Sequence, residues 1–326
     1  MKIGAIGLVL ALIAPSAARA DWTHAPSGIS LPDTIGDMRH GAERDLSKGE
    51  KLDVSVQYGT DAEPVTLYLY RSSHPNPALW FDRTRTAMLD NVGTFDDAAP
   101  RAFALGGTAP NGLRAEFAPT GKAWKATSVA LVQNGEWLLK ARVTSTTLDR
   151  AGVAARMDRL LAAIRFAKPV GKALPLRAPA ACASPSIPTG SPRTDDKIKA
   201  AGMVMGIVAM ADARGIPGGL SEKPDDWCRD DPAEAAMRKM ASVYRRRDGK
   251  GWTALLGDAG MSASALDLAD TGTKGAALYF TRTGPTMLIQ TFDAPPSLDQ
   301  ALVAVTPVLR GEAQPLASVG TKAAAR

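Results

Sequence analysis

The chain has 326 residues, 45% hydrophobic and 22% charged, with 39 Lys and Arg against 33 Asp and Glu for a formal charge of +6. That balance belongs to a folded globular protein long enough for two ordinary domains, and it excludes a disordered chain. A charge excess this mild and this dispersed is too small to argue for nucleic acid.

In chain order, the first segment reads as a secretory signal peptide. Lys2 gives a positive start, Ile3 to Ala14 is a short apolar run, and Ala18-Arg19-Ala20 is a small-x-small cleavage site. About 12 apolar residues fall short of the ~20 that a spanning helix needs. No cysteine follows the cleavage point to carry a lipid, so the mature chain is expected to start at Asp21 and to lie free in the periplasm. Cleavage removes Lys2 and Arg19 and no acid, so the charge falls from +6 to +4. The next most apolar stretch, Gly202 to Ala211, is too short to cross a membrane.

Asp21 to Pro32 is expected to be a frayed or surface lead. An edge strand around Ile35 to Arg44 precedes a hairpin of Lys51 to Tyr58 and Val65 to Tyr70, both with alternating apolar residues. Asn76-Pro77 is a helix start, with Asn as cap and Pro at the first helical position. The helix should run to Val92, burying Trp80, Phe81, Thr84, Met88 and Val92 and turning Asp82, Arg83 and Arg85 to water. Arg101 to Leu105 and Leu113 to Phe117 are two further strands.

Asn134-Gly135 is the strongest hairpin signal, because both residues tolerate positive φ. Centring the turn there sets Val132 opposite Trp137 and Ala130 opposite Leu139, and buries the face with Ala130, Val132, Trp137, Leu139 and Ala141. A helix follows, capped by Thr146 or Thr147. Val153, Met157, Leu160, Leu161 and Ile164 form its buried stripe, opposite Arg150, Arg156 and Arg159.

The order of these elements is not alternating βαβ, so the sheet is expected to be antiparallel, in an α+β sandwich. On element order and the closing hairpin plus helix, residues 29–166 resemble the PsbP-like sandwich, named for an extrinsic photosystem subunit. That resemblance implies a twisted antiparallel sheet flanked by helices, and a non-catalytic accessory or binding role.

Residues 167–193 carry six prolines and read as an extended connector between domains. Cys182 lies within it. Cys182 and Cys228 are the two cysteines, and in an exported chain they should form one disulfide.

The second domain, residues 194–313, opens with a helix over Ile198 to Ala211, against which Gly202 and Gly206 count; a strand through Met203 to Met210 is the alternative. Gly215 to Pro224 reads as a loop and Pro232 to Met240 as a short helix. Strands over Ser242–Arg247, Trp252–Leu256, Ser262–Leu268, Ala276–Arg282 and Thr286–Phe292 lead to a helix from Ser297 to Leu309, which Pro307 should shorten or kink. This last hairpin and helix echo those before Phe166, through an internal duplication or through chance similarity of two common units. Residues 314–326 read as a flexible tail.

Motifs for catalysis are missing: no HExxH, GxSxG, Walker loop or GxGxxG follows the required elements. His24, His40 and His74 fall in turn or loop contexts and read as surface residues. The acidic cluster Asp225-Asp226 and Asp230-Asp231 around Cys228 has oxygens for a hard cation, but adjacent aspartates do not converge on one ion, and a solvated loop with a helix cap is the simpler reading. No cofactor is expected.

Tyr244-Arg245-Arg246-Arg247 is the sharpest basic run. It could meet lipid phosphates or peptidoglycan carboxylates, or guard an exposed edge strand by charge. Trp80 and Trp137 sit at core positions, whereas Trp124 and Trp252, next to lysines at strand starts, are candidates for a partly exposed rim. The sequence therefore points to an exported binding or accessory protein of the cell envelope, contacting an envelope protein or an anionic component. A periplasmic hydrolase with a dispersed site in the interdomain cleft and a structural envelope subunit are the alternatives.

Overall fold

The computed structural model of the chain describes residues 21–320 apart from 61, 93–94, 98, 121–123, 168–175, 184–188, 214–225, 231–234 and 258–259. The predicted signal peptide and the 215–224 loop lie outside the described residues. The fold is α+β, with five helices and three antiparallel sheets among the described residues.

The first half runs β1 (Trp22–His24), β2 (Ile29–Leu31), β3 (Thr34–Ile35), β4 (Met38–Asp45), β5 (Asp53–Gly59), β6 (Pro64–Arg71), α1 (Pro77–Val92), β7 (Phe95–Asp97), β8 (Arg101–Phe103), β9 (Gly112–Pro119), β10 (Ala126–Asn134), β11 (Trp137–Ser145), α2 (Arg150–Ala163) and β12 (Arg165–Phe166). The main sheet has the order β3-β4-β5-β6-β11-β10-β9-β7, with β8 also on β9.

The expected lead is not frayed. Trp22, Ile29 and Leu31 are buried, and β1, β2 and β12 form a small sheet that closes the core beside α2. The alternation of apolar residues through Ile29–Leu31 overrides the polar, Gly- and Pro-containing composition that suggested a surface segment.

The central hairpin forms with its register two residues from the expected one. Asn134 pairs with Trp137, Val132 with Leu139 and Ala130 with Ala141, so the turn is Gly135-Glu136. Positive φ is needed only at Gly135, at 59°, as in a turn with Gly at its first central position. A shift of two preserves the side-chain alternation, so Trp137, Leu139, Ala141 and Ala130 still share the face that packs under Val153, Met157 and Leu160 of α2. Asp149, rather than Thr146 or Thr147, caps α2 by accepting from Gly152 N at 2.9 Å. Arg156 does not face water: it is buried and pairs with Asp37 and, at 2.7 Å, with Glu63.

The second half comprises β13 (Pro192–Arg193), α3 (Asp196–Ala213), β14 (Trp227–Arg229), α4 (Ala235–Met240), β15 (Ala241–Arg246), β16 (Gly251–Leu256), β17 (Met261–Asp267), β18 (Ala276–Thr281), β19 (Thr286–Phe292), α5 (Leu298–Arg310) and β20 (Ala317–Val319). Its sheet is a meander, β19-β18-β17-β16-β15-β14, with β13 and β20 both on β19. The first sheet inserts β11 beside β6, so the echo between the halves is confined to the last hairpin and helix. Pro307 does not shorten α5, which continues to Arg310 and closes on Gly311 in the left-handed region, φ 74°. Part of the expected tail is ordered by pairing with β19.

Helix α3 forms despite its glycines because they are contact points. A Cβ at Gly202 would stand 3.3 Å from Ala277 Cβ and one at Gly206 3.0 Å from the Tyr279 ring, so their absence lets the helix settle on β18 and β19. The intrinsic cost of glycine, about 1 kcal/mol each, is overridden by packing.

The two sheets share one helix. Asn76 Oδ1 accepts from Ala78 N at 3.0 Å to start α1, which then lies between β9 and β10 of the first sheet and β15 and β16 of the second. One core joins Tyr70, Trp80, Leu113 and Leu131 to Trp227, Tyr244 and Leu255. Hence Asp82 and Arg83, expected at the surface, are buried, and Arg85 is half-buried. Tyr244 donates to Asp82 at 2.9 Å, and the Arg83 guanidinium donates to Gly257 O at 2.8 Å, Arg238 O at 3.0 Å and Lys239 O at 2.8 Å. The apolar period of α1 is real, but the helix is enclosed from both sides and its polar side chains act as the fasteners.

The connector is also partly hydrogen-bonded. The Cys182–Cys228 disulfide is formed, Arg229 N donates to Ala180 O at 2.8 Å and Cys182 N to Arg229 O at 2.9 Å. Prolines deny this stretch a long ladder, yet residues 180–182 still dock alongside β14 in parallel.

Candidate functional site

Two concave places adjoin the shared core, and both involve residues singled out in the sequence. The first lies where the loop before α1 meets the inner face of the second sheet. A cavity of about 40 Å³ is lined by residues including Ser73, His74, Trp227, Ser264, Tyr279 and Thr286. Its volume has room for water molecules rather than a substrate.

His74 is buried, not a surface residue. Its ring meets Trp227 edge-on at 5.2 Å and its Nδ1 accepts from Asn76 N at 3.2 Å. Burial, helped by repulsion from Arg246, pushes the imidazole down to about 3, so it is neutral at physiological pH. His24 is likewise buried, at the end of β1, with Nε2 2.7 Å from Lys51 O; burial lowers its pKa. His40 lies on β4, half-buried against Tyr58. Local sequence context placed the three histidines outside because short polar neighbours look alike in a loop and at a packed strand end. The signal that could have placed His74 is the Asn76-Pro77 cap, which fixes it at the mouth of a helix burying Trp80.

A pH dependence follows. In the unfolded chain His74 titrates near its ordinary value of about 6.5, so below that pH the unfolded state takes up a proton that the folded state refuses. The contribution of His74 is fully present above pH 6.5 and is lost as pH falls toward 3. Over pH 7 to 4 the loss is about 3 kcal/mol. Urea unfolding at the two pH values should show that difference shrinking by about that amount in His74→Gln.

The second place is the arginine run. A pocket of about 200 Å³ is lined by Ala183, Cys228, Arg245, Arg246, Arg247 and Gly249. The run does not guard an edge. β15 is covered on its outer side by β14, through Cys228–Arg245 and Trp227–Arg246 register pairs, and β14 in turn by residue 181. Arg245 shares a face with Cys228 and lies 3.6 Å from Asp230, whereas Arg246 points to the His74 side and holds Asp248 at 2.9 Å. Arg247 is exposed and makes no ion pair among the described residues. The disulfide forms one wall, so the connector helps shape the pocket.

Other predicted residues fall elsewhere. Trp252 is not a rim residue: it is 1% exposed and donates from its indole to Pro296 O at 2.8 Å, beneath the start of α5. It shares a face with Ala254, an alternation that outweighs its neighbouring lysines. Trp124 is half-buried, with the Arg142 guanidinium 4.9 Å above its ring. Of the acidic cluster, Asp225 and Asp231 lie outside the described residues, Asp230 faces Arg245, and Asp226 accepts from Arg247 N at 2.8 Å through its carbonyl. No three His, Cys, Asp or Glu side chains among the described residues converge as a metal site, and no helix there is long and apolar enough to cross a membrane.

No family model and no curated protein matches the chain. A solved structure from Bacteroides thetaiotaomicron VPI-5482 aligns over 56% of this chain and 57% of its own length, at 10% identity and a TM-score of 0.26. The chain thus spans little more than half of that protein, and a likeness at that score carries no argument.

Proposed function

We propose that this chain is an exported, non-catalytic binding or accessory protein of the bacterial cell envelope, periplasmic after loss of its signal peptide, and that it meets an anionic envelope component through the Arg245–Arg247 pocket. The supporting observation is the pocket itself: Arg245, Arg246 and Arg247 all line a concave surface beside a strand that needs no charge to protect it, and Arg247 is exposed and makes no ion pair among the described residues. Arginine suits this use because its planar donors match carboxylate and phosphate in pairs. The disulfide beside the pocket is consistent with an oxidising compartment.

Cosedimentation tests the reading, with purified peptidoglycan offering carboxylates and phosphatidylglycerol vesicles offering phosphates. Arg247→Glu, at an exposed position, should reduce binding severalfold, and reversal of all three arginines should abolish it, with thermal melts confirming that each variant is folded. Undiminished binding by folded Arg247→Glu and triple variants in both arms would overturn the proposal.

A further inference from the structure

Helix α3 breaks the usual rule for a surface helix. One side, with Ile198, Ala201 and Met205, is buried on β18 and β19. The other side carries no polar stripe: Met203 is 42% exposed, Val204 54% and Ile207 52%. A helix that is apolar all round is ordinarily buried, so this outer side calls for a ligand.

Beside it lies a groove of about 540 Å³, between the first three turns of α3 and the short helical turn Ala269–Thr271. Its floor is apolar, with Ala200, Ala201, Val204, Met205 and Val208, and its rim is polar, with Lys197 and Asp270. That volume and lining fall within the range of small-molecule sites. The two rim charges differ in availability. Asp270 is held by Lys250 at 3.0 Å, whereas Lys197 is exposed and makes no ion pair among the described residues. The groove therefore offers an apolar bed with one available cation at its rim.

We infer that this groove binds a single-chain anionic amphiphile, its acyl chain along Val204 and Val208 and its carboxylate or phosphate head at Lys197. The site is separate from the arginine pocket, and its test does not depend on that reading.

The probes are a dansyl-labelled undecanoic acid and a lysophosphatidylglycerol below its micellar concentration, which distinguish a free carboxylate from a lipid phosphate; dodecanol serves as the uncharged control. Saturable one-to-one binding of either acid is expected, with dodecanol bound at least severalfold more weakly. Val204→Glu, at an exposed position that leaves the fold intact by thermal melting, should abolish binding, and Lys197→Gln should weaken the acid severalfold while leaving dodecanol unchanged. Failure of both acids to bind, binding indifferent to Val204→Glu, or self-association through α3 in sedimentation analysis would each overturn the inference.

Discussion

Replacing Arg83 by Ala is expected to lower unfolding stability by about 4 kcal/mol, since it removes a buried cation and orphans its acceptors. The guanidinium is 1% exposed and spans three carbonyls of the opposite half, Gly257, Arg238 and Lys239. The carbonyls of α4 lie at its C-terminal end, where a positive charge is favourable. Arg83→Lys should recover only part of the loss, because a point charge on a flexible stem does not reproduce a planar fork. Urea denaturation read by both tryptophan fluorescence and far-UV circular dichroism measures the effect. Because Arg83 fastens one half to the other, the two signals, coincident in the parent, should separate in Arg83→Ala. Coincident transitions with a loss under 1 kcal/mol would show that apolar packing around Trp80 and Leu255 holds the halves together unaided.

The second large effect is expected at the disulfide. Cys182 and Cys228 are 46 residues apart, and opening a loop of that size costs about 4 kcal/mol on the chain-entropy account. The Cys182→Ser/Cys228→Ser double variant should lose most of that in denaturant unfolding, and reductant should destabilise the parent but not the variant. The same change leaves residues 180–183 held on β14 by backbone hydrogen bonds to Arg229 alone and so loosens a wall of the arginine pocket. Affinity for anionic probes should therefore fall in the double variant even under conditions where it remains folded.

Much of the fold was legible because alternation and helical periodicity are local. The longer strands of both sheets, the helix after Asn76-Pro77 and the capped helix after Ser297 stand close to where their patterns put them, whereas the short strands β7, β13, β14 and β20 had no such pattern. Less legible was everything decided by a neighbour distant in sequence. Asp82 and Arg83 carry the polar residues of a helix face turned to water, and only the arrival of Tyr244 and Gly257 makes that face an interior. Gly202 and Gly206 lower helix propensity in any local reckoning, yet they are two of the places where α3 sits closest on the sheet. The hairpin register shows a different limit: Asn134-Gly135 was the stronger turn signal, but a turn on Gly135-Glu136 keeps the same buried face and lets Asn134 pair with Trp137. Of the candidate site, the arginine run was visible as a motif, whereas its pocket was not, because the second wall comes from a proline-rich stretch docked by the disulfide and by backbone hydrogen bonds to Arg229.

The enclosure of α1 also bears on how the chain folds as it is made. Synthesis proceeds from the N-terminus, so α1 emerges well before β15 and β16, the strands that cover its far side. Until those strands are made, Leu79, Asp82 and Arg83 have none of the partners that β15 and the turn at Gly257 give them in the folded state. The far side of α1 is thus covered only by residues made more than 150 positions later, and any delay between the two leaves that side open to other chains.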